Sequence, residues 1–141
     1  MLSMKRASTC TVLFFAIATS TPTSAALLSG TISINQGLCS MSCLLSLDVT
    51  YIPTSSDYTL TINSASTSGS FLCNTPSFSG FPSTDVIHSA NWPSDFIIPT
   101  SFSTICGTCS NGNVAYTYDG SPPMTITPPA DPNCNISGNL Y

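Results

Sequence analysis

His88 is the only histidine in the chain and the residue best suited to act as a general base near neutral pH. Asp85 and Asp95 lie close to it in the sequence, so a Ser-His-Asp hydrolase is one hypothesis. The Gly-x-Ser-x-Gly turn that presents the nucleophile in many hydrolases is absent from the sequence. We therefore predict that the protein is not an enzyme, and a small hydrolase using His88 remains as an alternative.

The acidic residues give a weak case for catalysis or metal binding. All six are aspartates, because the chain has no glutamate. Glycoside hydrolysis needs a buried carboxyl group of raised pKa beside a second carboxylate, and calcium loops need densely spaced aspartates. Asp85 and Asp95 are the only candidates outside turn sequences and polar strand faces, and nothing in the sequence fixes their geometry. We expect no metal and no cofactor.

Cysteine is the residue type whose number is most informative. Cys10 lies in an N-terminal segment that we expect to be removed, which leaves an even number in the rest of the chain. In an exported protein this predicts three disulfides, whose pairing the spacing does not determine. The six cysteines are Cys39, Cys43, Cys73, Cys106, Cys109 and Cys134.

Two short cysteine spacings allow other interpretations. Cys39 and Cys43 could join Cys106 and Cys109 as a four-thiolate zinc site, but such sites favour reducing compartments. The Cys106-Gly-Thr-Cys109 sequence resembles a redox dithiol, which requires a helix beginning at the first cysteine. The flanking residues favour strands and turns, so structural disulfides are the preferred interpretation.

Aromatic residues and one sequon offer surfaces for recognition and modification. Aromatic side chains dominate many binding surfaces, so a patch that binds carbohydrate or protein is one hypothesis, and burial in the core is the favoured alternative. Asn135-Ile-Ser is a candidate N-glycosylation sequon. The possible binding patch comprises Trp92, Phe96, Tyr116 and Tyr118.

The N-terminal residues have the order of a signal peptide. Lys5 and Arg6 precede an apolar run at 11–18, and the small residues of TPTSAA follow it. Because a membrane-spanning helix needs about 20 apolar residues, a retained anchor is the less favoured alternative. We predict cleavage after Ala25 or Ala26, a signal peptide at 1–26, a single secreted domain at 27–141, and an extracellular location.

Removal of the signal peptide would take every lysine and arginine with it. The remaining chain has six aspartates and no lysine or arginine, which gives a net charge of about −6. Nucleic acids and anionic lipids bind proteins largely through lysine and arginine. We therefore exclude nucleic acids and anionic lipids as partners. No second long apolar run follows the one at 11–18, so we expect no membrane anchor.

Alternation of apolar and polar residues, which is typical of half-buried strands, dominates the rest of the chain. It is strongest in LLSLDVTYI at 44–52 and YTLTIN at 58–63, which would form a hairpin around the turn at 53–57. We expect about seven short strands, drawn from the segments 31–35, 44–52, 58–63, 70–74, 85–88, 95–98, 114–118 and 124–127.

The segments between the predicted strands are rich in turn-forming residues. Residues 64–69 are expected to form a flexible connection, 110–113 and 119–123 to form turns, and most of 78–104 to form a folded loop whose aromatic side chains close one end of the core. These features predict an all-β fold: a small disulfide-linked β-sandwich of antiparallel strands, preceded by a signal peptide.

The sequence favours a secreted, non-enzymatic binding or recognition module with a serine- and threonine-rich, mildly acidic surface. Its expected partners are an extracellular protein or a carbohydrate. A self-associating structural or coat protein is a second hypothesis, because the strands lack lysine residues that would discourage edge-to-edge pairing.

Overall fold

The computed structural model describes residues 23–69, 77–128 and 134–141, which form nine β-strands and one 3-10 turn at Ser89–Asn91. Serine, threonine and β-branched residues fill these segments and favour extended backbone. The strands are β1 (Ser24–Gln36), β2 (Cys39–Pro53), β3 (Asp57–Ser68), β4 (Ser77–Ser79), β5 (Ser83–His88), β6 (Phe96–Thr104), β7 (Gly107–Thr117), β8 (Met124–Thr127) and β9 (Asn135–Leu140).

All nine strands belong to one antiparallel sheet in the order β4-β6-β7-β8-β9-β1-β2-β3-β5. The all-β prediction is confirmed, but the sandwich is wrong. The reason is β9, which the sequence analysis did not predict. It pairs with β1 at Ile34 and Ile136 and with β8 at Met124 and Leu140, so it joins the N-terminal strands β1–β3 to the later strands β6–β8 in one continuous sheet.

The sheet curls until its two halves face each other. Strand β5, at one edge, contacts β6, the second strand from the other edge. The Asp85 carboxylate on β5 accepts a hydrogen bond from the backbone N–H of Ile97 on β6, at 2.8 Å. Strands β5 and β6 are thus joined by a side-chain hydrogen bond at the point where the two sides of the curled sheet come close together.

The core lies on the concave face of the sheet, as the alternation in β2 and β3 predicts. Leu45, Leu47, Val49 and Tyr51 of β2 are all buried, and their polar neighbours point outward. A packed core of this kind requires each strand to keep its register, because a slip of one residue would expose every apolar side chain. The second predicted hairpin, β7–β8, is also present.

Several predicted connections differ from the structure. The predicted turn at 110–113 lies within β7, and the chain instead reverses at Ile105 and Cys106. The predicted connection at 64–69 is largely strand, because β3 continues to Ser68 against β2. The predicted strand at 70–74 lies outside the described residues.

The described part of the chain begins close to the predicted cleavage positions of the signal peptide. Residues 1–22 lie outside the described part of the chain, and β1 begins at Ser24. Ala25 and Ala26, the predicted cleavage positions, pair with Thr50 and Val49 at the start of β1. In the residues that the structure describes, no helix is long and apolar enough to cross a membrane.

Candidate functional site

Two hairpin turns lie side by side at one end of the sheet. The β1–β2 turn consists of Gly37 and Leu38, and the β6–β7 turn consists of Ile105 and Cys106. The disulfide between Cys39 and Cys106 joins them, with their Cα atoms 6.2 Å apart. Leu38 is fully exposed and Ile105 is 58% exposed. We call this pair of disulfide-linked turns, with Leu38 and Ile105, the apolar tip.

The side chain of Gln36, at the end of β1, links the two turns on the side of the tip that faces the core. Its amide nitrogen donates to the carbonyl oxygen of Gly107 and contacts the Cys109 sulfur, both at 3.2 Å. Its amide oxygen accepts a hydrogen bond from the Thr104 hydroxyl. Since Gln36 is buried and all these contacts cross from β1 to the β6–β7 hairpin, the tip is a fixed surface rather than two independent loops.

The carboxylates of the described residues lie far from the apolar tip. Asp57, Asp85, Asp95 and Asp119 all lie at or near the opposite ends of their strands, and we call this end of the molecule the acidic end. Asp48 is nine residues along β2 from Cys39, or roughly 30 Å at the rise of a strand. The described domain therefore has one uncharged apolar end and one acidic end.

His88 also lies at the acidic end, and its nearest charged partner is not one that the sequence analysis proposed. Its Nδ1 is 2.5 Å from an Asp57 carboxylate oxygen, and the Ser56 hydroxyl donates to the other oxygen at 3.0 Å. Hydrogen bonds from His88 and then Ser56 lower the pKa of Asp57, because they favour its charged form.

The two aspartates proposed to assist His88 have other partners. Asp85 accepts hydrogen bonds from the N–H groups of Val86 and Ile97, and Asp95 accepts one from the Thr117 hydroxyl at 2.6 Å. The His88 side chain is 74% exposed and does not line the pocket described below. Among the described residues, His88 therefore has Asp57 as its carboxylate partner and not Asp85 or Asp95.

The four residues of the proposed aromatic patch differ in their exposure to solvent. Phe96, Tyr116 and Tyr118 are at most 3% exposed and belong to the core, so they do not form a surface patch. The Tyr116 hydroxyl is 2.9 Å from the Thr100 hydroxyl, and burial raises the pKa of Tyr116 to about 12. Trp92 alone is half-buried and reaches the surface.

Trp92 lines a surface pocket of about 360 Å³ at the acidic end. The pocket lies between the chain that follows the 3-10 turn and the β7–β8 connection. Tyr118 contributes to its wall, and its pKa is raised by burial and by the nearby charge of Asp119. The other lining residues are Pro93, Ser94, Thr117, Asp119, Ser121, Pro122, Pro123 and Thr125.

The cysteines form disulfides, as the sequence predicts. Besides the disulfide at the tip, Cys109 of β7 bonds to Cys134, which attaches the segment leading into β9 to the body of the sheet. Cys43 is disulfide-bonded as well, and Cys73 lies outside the described residues. The Cys106–Cys109 dithiol of the redox interpretation is not formed, because each of these cysteines bonds elsewhere.

Two further sequence predictions concern modification and metals. Asn135, the candidate glycosylation residue, is half-buried and opens β9 opposite Asn35. In the described ranges, no three His, Cys, Asp or Glu side chains are grouped closely enough to hold a metal ion.

Sequence reasoning did not identify the apolar tip. An apolar residue directly before a cysteine, with a glycine within two residues, occurs in Gly37-Leu38-Cys39 and in Ile105-Cys106-Gly107. Leucine and isoleucine are unusual in exposed turns, so this pattern could have indicated two exposed apolar turns. Placing the turns together required the disulfide pairing, which the sequence leaves open.

These features define a class of protein: a small disulfide-linked domain built on one curled antiparallel sheet, with an apolar tip and an acidic end. The model of the family described as alkane oxidation protein activator PraA/PraB-like matches residues 1–141, so the chain belongs to that family. Searches of curated proteins and of solved structures find no match.

Proposed function

We propose that the chain is a secreted, non-enzymatic binding protein that adsorbs to an alkane–water interface through its apolar tip. The observation that carries the proposal is the exposure of Leu38 and Ile105 on turns fixed by a disulfide. The family description names alkane oxidation, and alkanes are insoluble in water, which supports an alkane–water interface as the surface to which the tip adsorbs.

The energetics favour adsorption of this end of the molecule. Full burial of one leucine or isoleucine side chain is worth about 1.5 to 3 kcal/mol. Leu38 and Ile105 together would therefore contribute several kcal/mol on entering an oil phase. The tip is already ordered by the Gln36 contacts, so adsorption would cost little conformational entropy.

The charge distribution supports the same orientation. Carboxylates are costly to remove from water, and those of the acidic end would stay in the aqueous phase while the tip enters the oil. Because the chain beyond the predicted signal peptide has no lysine or arginine, attraction to anionic head groups does not compete with this mode.

Secretion and the absence of catalysis are part of the proposal. Disulfides persist in oxidising compartments, which supports an extracellular location. The His88 side chain is exposed beside Asp57 and does not line the pocket, which supports a binding role rather than a hydrolytic one.

Self-association through sheet edges, the second hypothesis from the sequence, receives less support. In the part of the chain that the structure describes, strand β4 at one edge has three residues. Strand β5 at the other edge contacts β6 through Asp85 and Ile97. Short or covered edges offer few backbone groups to a second copy.

The test is to measure how much protein is lost from solution when it is shaken with dodecane droplets. Replacing both tip residues, Leu38→Ser with Ile105→Ser, is expected to lower the interfacial partition coefficient at least tenfold. The matched control, Val86→Ser with Ile97→Ser, removes two side chains that are each 47% exposed but lie at the β5–β6 contact.

Comparison of the two double variants distinguishes adsorption through the tip from adsorption through any exposed apolar side chain. The control variant is expected to partition within about twofold of the unaltered protein. Equal losses in both variants, or no loss in the tip variant, would contradict the proposed role of the tip. Retained far-UV circular dichroism and intact disulfides establish that each variant is folded.

A further inference from the structure

A pocket of about 360 Å³ lies at the acidic end, opposite the apolar tip. We propose that it binds a neutral sugar residue, with the sugar ring lying against the indole of Trp92. The proposal is independent of the alkane role, because the residues of the tip and of the pocket do not overlap.

Trp92 is held in place as a platform. The ring of Tyr58 stacks on the indole with centroids 4.1 Å apart and an interplanar angle of 27°, and Phe96 packs against it at 6.3 Å. Tyr58 does not line the pocket, so it supports the indole from another side. A flat aromatic surface whose orientation is already fixed suits the apolar face of a sugar ring and costs little entropy on binding.

Polar groups surround this platform. Ser94 and Ser121 supply hydroxyl groups, and Asp119 supplies a carboxylate whose orientation is set by the backbone N–H of Ser121, 3.0 Å from one oxygen. Hydroxyls donate and accept hydrogen bonds, and carboxylates accept them. Together they match the ring of hydroxyls at the edge of a sugar, while Pro93 and Pro122 provide apolar walls.

Charge and shape argue against other ligand classes. The pocket has a carboxylate and no lysine or arginine, so an anionic ligand would be repelled. A quaternary ammonium ion is recognised by several aromatic faces that surround it, but Tyr118 is 3% exposed and offers almost no ring surface. One aromatic platform with hydroxyls around it favours a neutral ring.

The size of the pocket is consistent with one or two sugar rings. Its volume of about 360 Å³ lies near the lower end for small-molecule sites. A long polysaccharide would need an extended groove, so we expect the pocket to take the end of a glycan or the sugar part of a larger molecule.

The experiment is a titration of the purified, disulfide-intact protein with a panel of neutral methyl glycosides and disaccharides. Binding is followed by NMR and, for proteins that keep the single tryptophan, by indole fluorescence. At least one neutral sugar is expected to give saturable shifts of pocket resonances at about millimolar concentration. Trp92→Ala is expected to weaken that binding at least tenfold.

Two further variants keep the test decisive if Trp92→Ala unfolds the protein. Ser94→Leu places a bulky side chain at an exposed pocket position and is expected to abolish binding without disturbing the core. Leu38→Ser with Ile105→Ser, at the other end, is expected to leave sugar binding unchanged. The proposal is overturned if no sugar of the panel binds, if tetramethylammonium binds in preference, or if Ser94→Leu binds sugar normally.

Discussion

At the scale of single residues, the pair formed by Tyr116 and Thr100 shows how a polar group is accommodated in this core. Both side chains are buried, and their hydroxyls lie 2.9 Å apart. The Thr100 hydroxyl also donates to the backbone carbonyl of Ile98 at 3.1 Å. Every buried side-chain nitrogen and oxygen atom of the described residues has a hydrogen-bond partner, as is usual for polar groups in a native core.

The raised pKa of Tyr116 predicts a specific loss of stability in alkali. The phenol ionises at about 12 in the folded protein against 10.0 ordinarily, so its contribution is complete below pH 10 and is lost as pH rises toward 12. The difference corresponds to about 3 kcal/mol. At pH 7, Tyr116→Phe is expected to lower the free energy of unfolding by about 1 kcal/mol. Between pH 10 and pH 12, the free energy of unfolding of this variant is expected to fall less than that of the unaltered protein, because the variant has no phenol to ionise at this position.

Urea unfolding at a series of pH values measures this effect. Tyr141→Phe, at a residue that is 69% exposed, serves as the control and is expected to follow the unaltered protein. An identical pH profile for Tyr116→Phe and the unaltered protein would show that the phenol of Tyr116 is not buried as described.

At the scale of strands, the contact between β1 and β9 decides the architecture. Gly30 of β1 lies directly against the backbone of β9, and a Cβ atom there would overlap the carbonyl oxygen of Asn139. The backbone of Leu140 is also within 3.1 Å of that Cβ position. A residue with any side chain would therefore push β9 away from β1.

Gly30→Ala is expected to destabilise the protein by about 1 to 3 kcal/mol, the usual cost of overpacking a rigid contact. Ser33→Ala, at an exposed position of the same strand, is the control and is expected to change the free energy of unfolding by less than about 0.5 kcal/mol. Thermal unfolding followed by circular dichroism measures both. A neutral Gly30→Ala variant would argue against the β1–β9 pairing.

The strands show which parts of this fold the sequence predicts. The alternation in β2 and β3 fixes both their existence and their buried faces, because a period of two has one structural explanation over nine residues. Strand β9 was missed because Asn135-Ile-Ser-Gly-Asn-Leu has only Ile136 and Leu140 as apolar residues and a glycine between them. Its partners lie far away in the sequence, so only tertiary structure identifies it.

The candidate sites also divide into features that the local sequence predicts and features that depend on tertiary structure. Trp92 was identified from its residue type, but the burial of Phe96 and Tyr116, which removes them from the surface, depends on which face of β6 and β7 is concave. Leu38 and Ile105 were missed because their proximity depends on one disulfide among several permitted pairings.

At the scale of the whole molecule, the two ends of the domain differ in chemistry. The proposed secretion predicts a processed protein, with a new N-terminus after Ala25 or Ala26. Intact mass spectrometry of protein collected from the culture medium, with and without reductant, tests this prediction. We expect a mass that lacks the first 25 or 26 residues and no free thiols before reduction; a full-length chain retained in the cells would contradict secretion.

The central claim is that the apolar tip, and not the acidic end, enters the alkane phase. The chain has one tryptophan, Trp92, which lies at the acidic end and reports on that end directly. A second reporter is obtained by placing Ile105→Trp in a Trp92→Phe background. The most direct measurement compares the fluorescence emission of the two proteins when each is bound to dodecane nanodroplets. The account predicts a shift to shorter wavelength for the tryptophan at position 105 and none for Trp92; a shift of Trp92 alone would contradict it.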